Sequence, residues 1–154
     1  MAVFTHEIQS SKPLRFVIEL GRPVPIHAGA AGRAILAGLP PEEAEELLGG
    51  EPLQVITPNT ISDPGELLRL ADEDRKRGFA VSIEERVPGG ASAAAPFFDR
   101  GGRCVGSIVF TIPLARLEMD SIDQIGVAVS ESAVKLTEQL RSVRHPRDSG
   151  LTSR

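Results

Sequence analysis

The sequence predicts an α+β domain, and three observations carry that prediction. Several segments alternate with a period of two, as in Phe79, Val81 and Ile83 against Ala80, Ser82 and Glu84. Turn signals separate them, Pro88-Gly89-Gly90 and Asp99-Arg100-Gly101-Gly102, so the strands should run antiparallel. Helical spacing recurs in segments grouped apart from those strands.

Residues 2–8 place Phe4 and Ile8 against Thr5 and Glu7 and read as a short strand. After the turn Ser10-Ser11-Lys12-Pro13, residues 14–20 put Leu14, Phe16, Ile18 and Leu20 on one face, so the two segments form a hairpin. The stretch from Gly21 to Leu39 organises the rest. Gly21, Pro23 and Pro25 are turn residues, and the small residues Ala28 to Gly32 lead into a helix with apolar positions at Ala31, Ala34, Ile35 and Leu39. Small side chains leave the first-turn N–H groups uncovered, which with the helix dipole makes a site for a phosphate or carboxylate. The same residues equally suit tight helix-on-sheet packing.

Pro41-Glu42-Glu43 opens a short acidic helix to Leu48, stopped by Gly49-Gly50. Asp63 is an N-cap, with Pro64 at the first helical position and Glu66 completing a capping box. That helix carries Leu67, Leu68, Leu70 and Ala71 and ends in Arg75, Lys76 and Arg77 before Gly78. Strands follow over 79–86, 91–98 and 103–112. The last puts Cys104, Ile108, Phe110 and Ile112 on one face and Val105, Ser107, Val109 and Thr111 on the other. A final helix, 120–140, aligns Ile122, Ile125, Val129, Ala133, Leu136 and Leu140 against the sheet. From Ser142 the chain is polar and reads as a disordered tail. The mixed sheet face should border a cleft supplied with hydroxyls by Ser82, Ser92 and Thr111.

The 154 residues suffice for one domain with a real core. A net charge of −4, no Lys/Arg run before the tail, and six Phe without Tyr or Trp argue against a nucleic-acid-binding face or a stacking platform. The single Cys104 cannot form an internal disulfide. Neither a signal-peptide core nor a bilayer-length apolar run is present, so the reading is a cytoplasmic protein without membrane contact.

Catalysis finds little support. Ser92 in Gly89-Gly90-Ala91-Ser92-Ala93 is no nucleophile elbow, and His27 reads as a turn residue bonded to neighbouring backbone rather than as its base. Metal-ligand spacing is missing, and Gly29-Ala30-Ala31-Gly32-Arg33 lacks the Lys-Ser/Thr of a P-loop. Glu84 and Glu85 should point to opposite strand faces, one in a structural ion pair and one solvated. Cys104 reads as a small core residue on the apolar face. No catalytic, metal or cofactor residue is predicted.

The stretch Pro25-Ile26-His27-Ala28-Gly29-Ala30-Ala31-Gly32-Arg33-Ala34-Ile35-Leu36-Ala37 resembles the PLHATAxGKALLA signature of the IclR family of bacterial transcription regulators. In the family's order, Thr60-Ile61 with Asp63 and Leu67 resembles TIxDxxxL, and Arg75-Lys76-Arg77-Gly78-Phe79-Ala80-Val81 resembles RxRGYAVD. Glu84-Glu85 with Gly89 resembles EExxxG, and Ala94-Ala95-Pro96-Phe97-Phe98-Asp99 resembles AAPVFD.

The resemblance spans about residues 2–140 and implies a GAF-like effector-binding domain over residues 1–141, associating as a homodimer or homotetramer. It implies that a small organic effector lies against Ala30, Ala31 and Gly32, with Phe16, Val24, Ser82, Ser92, Val109 and Thr111 around it. Ser82 stands where many members carry Asp, and Val109 where some acid-binding members carry Ser. Those losses of polarity imply an aromatic or partly apolar carboxylate rather than a very small polar acid such as glyoxylate. Arg33 replaces the usual Lys, which the reading places on an exposed helix face.

The family's N-terminal winged helix-turn-helix, through which DNA would be bound, lies outside these residues, as do the first helix and strand of its effector domain. The chain is then either a fragment or a stand-alone remnant, truncated at its N-terminus. Its exposed sheet edge should pair with a partner chain or leave it marginally stable. The rival readings are an oligomerisation module with a vestigial pocket and a small hydrolase using Ser92 or His27.

Overall fold

The computed structural model describes residues 1–118 and 121–143, built around a three-stranded antiparallel sheet. Its strands β3 (Ala80–Ile83), β4 (Gly90–Phe98) and β5 (Cys104–Pro113) form a meander numbered in chain order after the two-residue strands β1 (Ala2–Val3) and β2 (Pro23–Val24). Registers Ser82↔Ser92↔Thr111 and Ala80↔Ala94↔Val109 put these six side chains on one sheet face.

That face is covered by α1 (Ala30–Gly38), whose Ala30 and Ala34 pack on Ala80 and Ala94. Alanine on both sides lets helix and sheet backbones approach closely. Behind α1, the helices α2 (Pro41–Leu48) and α3 (Pro64–Arg77) enclose a core of Ile26, Leu36, Ala37, Ala44, Leu48, Leu67 and Ala71. The opposite face carries Phe79, Val81, Ala95, Phe97 and Ile108, and α4 (Ile122–Ser142) lies on it through Ile125, Val129 and Ala133. Helices therefore flank both sides of the sheet, and the α+β class holds.

Local rules account for the helix ends. The Asp63 carboxylate accepts from the Glu66 N–H at 2.7 Å, while the Glu66 side chain turns to Arg69, so half of the capping box forms. Gly49 and Gly78 terminate α2 and α3 in the left-handed conformation.

Four expectations need correction. The hairpin of residues 2–8 and 14–20 does not form: β1 pairs instead with Pro23–Val24, and residues 14–20 make no strand. Of the expected face only Phe16 and Ile18 are half-buried, while Leu14 and Leu20 are 56% and 52% exposed, and alternation does not supply a pairing partner. The strand expected over 79–86 ends at Ile83, because Glu84 adopts φ 56°.

Cys104 lies on the α1 face rather than with Ile108 and Phe110. The pairs Phe97↔Gly106 and Phe98↔Cys104 skip Val105, and this bulge inverts the strand's parity. Its Sγ accordingly sits 2.7 Å from where a Cβ on Gly38 of α1 would stand. Finally, Arg33 is 4% exposed rather than on an open helix face. Most of the tail expected from 142 onward lies outside the described residues, as does His145; α4 itself runs to Ser142.

Candidate functional site

The start of α1 is built by two glycines. Gly29, at φ 90°, turns the chain into the helix, a conformation that favours glycine. A Cβ on Gly32 would stand 1.8 Å from the Ile26 carbonyl oxygen, so the helix can fold back on residues 26–28 only with glycine there. His27, 7% exposed, is fixed by a 2.9 Å hydrogen bond between its Nε2 and the Gln54 carbonyl, distant in sequence.

Beside this helix start, over the mixed sheet face, is a cavity of about 20 Å³, room for a water molecule. It is lined by Ala28, Gly29, Ala30, Ala31, Ser82, Glu85, Arg86, Val87, Gly90, Ser92, Val109 and Thr111. Six of the residues expected around an effector meet there: Ala30, Ala31, Ser82, Ser92, Val109 and Thr111. Gly32 and Val24 line instead a wider groove of about 1230 Å³, which follows the outer strand β5 and the N-terminal residues. Phe16 stands at the cavity rim, its ring 3.4 Å from the position of a Cβ on Gly90.

The hydroxyls are already engaged. The Ala30 N–H donates to Ser82 Oγ at 3.0 Å, so one first-turn amide expected to be free is capped by the sheet. Ser92 Oγ and Thr111 Oγ1 bond each other at 3.1 Å. Ser92 is thus paired with a threonine and His27 with Gln54, and no catalytic dyad forms between them.

Below the cavity lies a buried ionic cluster. Arg33 Nε donates to Asp74 Oδ2 at 2.6 Å, its Nη1 to Glu85 Oε1 at 3.0 Å, and its Nη2 to the Val81 carbonyl. Arg77 adds a second bond to Asp74 at 2.7 Å. Arg33, Asp74 and Glu85 are buried, and the half-exposed Arg77 supplies the second cation against the two carboxylates. Burial pushes the Glu85 carboxyl above the usual carboxylate range, with Arg33 and the Gly29 amide pulling it back.

The turn carrying Glu85 is stapled from the loop before α3. Thr57 Oγ1 donates to the Glu84 carbonyl at 2.6 Å, and Thr60 Oγ1 to the Glu85 carbonyl at 2.7 Å. Of the expected carboxylate pair, Glu85 makes the ion pair. Glu84 stays partly exposed at the surface, where it also accepts from the Gly89 N–H at 2.7 Å.

Glu85 and Arg86 are site residues that the sequence reading did not assign. A signal for the cluster was available: Arg33 shares helical spacing with Ala30, Ala34 and Ala37, and a charge on that buried face demands partners. Among the described residues no cluster of His, Cys, Asp or Glu could hold a metal ion, and no helix is long and apolar enough to cross a membrane.

Residues 1–138 match the family described as bacterial transcriptional regulator IclR C-terminal. The transcriptional repressor AllR of Klebsiella pneumoniae is 34% identical over 139 residues, 90% of this chain and 51% of that protein. Among solved structures, the IclR protein of Thermotoga maritima superposes with a TM-score of 0.80 at 30% identity, covering 87% of this chain and 54% of that one. The inducer-binding domain of Acinetobacter PobR, solved as a double mutant with 3-hydroxybenzoic acid, gives 0.68 at 27% identity, covering 77% and 69%. The chain spans about half the length of the regulators it matches. These relatives are transcription regulators rather than enzymes. The chain belongs to the IclR family of bacterial transcription regulators, as a C-terminal regulatory domain.

Proposed function

We propose that this domain senses a small organic carboxylate at the start of α1 and biases the DNA binding of a winged helix-turn-helix domain outside this chain, within a cytoplasmic homodimer or homotetramer. The observation that carries the reading is the convergence of the α1 N-terminus with Ser82, Ser92 and Thr111 on one cavity. The cavity itself holds no more than a water, but Ala28, Ala31, Arg86 and Val109 also line the wider groove, which gives a larger ligand room beside it. The PobR domain was solved with an aromatic hydroxy acid, so aromatic acids belong among the compounds tested. Coupling to DNA requires the effector to favour one of two arrangements of the whole protein.

The test is a thermal-shift screen against aliphatic and aromatic carboxylates, with Ala31→Glu as control, since a carboxylate there repels an incoming one. A hit at 100 times its Kd should stabilise the fold by about 2.7 kcal/mol, several degrees in Tm, and the shift should vanish in the control. The smallness of the cavity favours one other reading, an oligomerisation module with a vestigial pocket. No shift with any compound, from protein that melts cooperatively, would favour that alternative or a fragment too incomplete to bind.

A further inference from the structure

Resting on that reading, the geometry points to the class of acid: Glu85 and Arg86 form a two-charge clamp at the cavity, and the ligand is a carboxylic acid carrying its own O–H or N–H donor. The acid group meets Arg86 and the donor meets Glu85 Oε2.

The three hydroxyls around the cavity are satisfied, Ser82 by Ala30 and Ser92 with Thr111 by each other. The charged groups lining it are satisfied only in part. Glu85 is 8% exposed; its Oε1 accepts from Arg33, while its Oε2 is buried without a hydrogen-bond partner among the described residues. A buried carboxylate oxygen in that condition calls for a donor. Arg33 and the Gly29 amide favour the ionised, accepting form of Glu85 against the burial that raises its pKa.

Arg86 is half-buried and lines both the cavity and the wider groove, its guanidinium lying over the Phe4 ring, 4.9 Å from the centroid. No carboxylate among the described residues pairs with it, and burial lowers its pKa with no anion opposing. A guanidinium without an anion beside a carboxylate oxygen without a hydrogen-bond partner matches a molecule that brings both. Adjacent in sequence, the two residues leave β3 through the Glu84 turn that Thr57 and Thr60 hold. Phe4 on Arg86 and Phe16 on Gly90 come from the same N-terminal stretch, which is therefore what an entering acid must displace.

The experiment is calorimetric titration of the 154-residue chain with two matched pairs, lactate against propionate and mandelate against phenylacetate, repeated on Arg86→Gln and Glu85→Gln. In at least one pair the hydroxy acid should bind tenfold or more tighter than its partner. Arg86→Gln should weaken that hydroxy acid at least tenfold, and Glu85→Gln should shrink the preference within the pair. Because Glu85 also holds Arg33, its variant can fail to fold; the ligand comparison and Arg86→Gln then decide the matter. Equal binding within both pairs, binding indifferent to Arg86→Gln, or binding by none of the four acids overturns the clamp. Silence across the whole carboxylate screen would remove the sensor reading as well, whereas a hit in that screen would leave it standing without the clamp.

Discussion

Replacing Arg33 by lysine should destabilise the domain markedly, although both residues carry the same charge. The Arg33 side chain is 5% exposed and spreads three hydrogen-bonding nitrogens over Asp74, Glu85 and the Val81 carbonyl. A lysine ammonium is one compact centre on a shorter fork-less stem and cannot reach acceptors presented from α3, β3 and the following turn together. A lost hydrogen bond to a charged group is worth about 1.5–3 kcal/mol, so Arg33→Lys should cost about 2 kcal/mol. Arg33→Met removes the cation altogether and should cost about 3–5 kcal/mol, because Asp74 keeps Arg77 but Glu85 is left buried and uncompensated. In a chain of this size that corresponds to roughly 6–20 °C in Tm. Adding Glu85→Gln to Arg33→Met should recover part of the loss, since the two side chains are in contact. The assay is urea unfolding at neutral pH followed by far-UV circular dichroism, the chain having no Trp or Tyr to report by fluorescence. An Arg33→Lys variant within about 0.5 kcal/mol of the parent would mean that Arg33 does not hold Asp74, Glu85 and the Val81 carbonyl together.

Gly32→Ala should cost about 3 kcal/mol or more in the same assay, because its Cβ would meet the backbone oxygen of Ile26 rather than a yielding side chain. Parental stability there would mean that α1 and residues 26–28 are further apart than described. The Glu85 carboxyl should also leave a signature in pH. Its pKa is raised in the folded state, chiefly by burial, so its contribution is fully present below the ordinary 4.5 and is lost as pH rises through the folded value. The stability of the parent relative to Glu85→Gln should therefore decline as pH rises above the ordinary 4.5; a difference that is flat or grows would contradict the burial.

Where structure depends on near neighbours in the chain, the sequence was sufficient to determine it. The Asp63 cap, the Gly78 stop, the turn at Asp99–Gly102 and the apolar stripe of α4 follow from bonds and contacts within a few residues, and all are present. Period-two alternation likewise puts Ser82, Ser92, Val109 and Thr111 on one sheet face, whereas Ala30 and Ala31 join them at the cavity only through the packing of α1 on that face. Tertiary structure decided the rest. Residues 14–20 alternate but meet no free strand, and one bulge at Val105 moves Cys104 across the sheet. Only the packing of α1 between the sheet and α3 buries Arg33 against Asp74 and Glu85, 41 and 52 residues away. Glu85 and Arg86 reach the start of α1 because Glu84 turns and two threonines hold that turn. Hydrogen bonds and charges separated by that much chain leave no local periodicity, so it was folding that brought the charged groups of the site together.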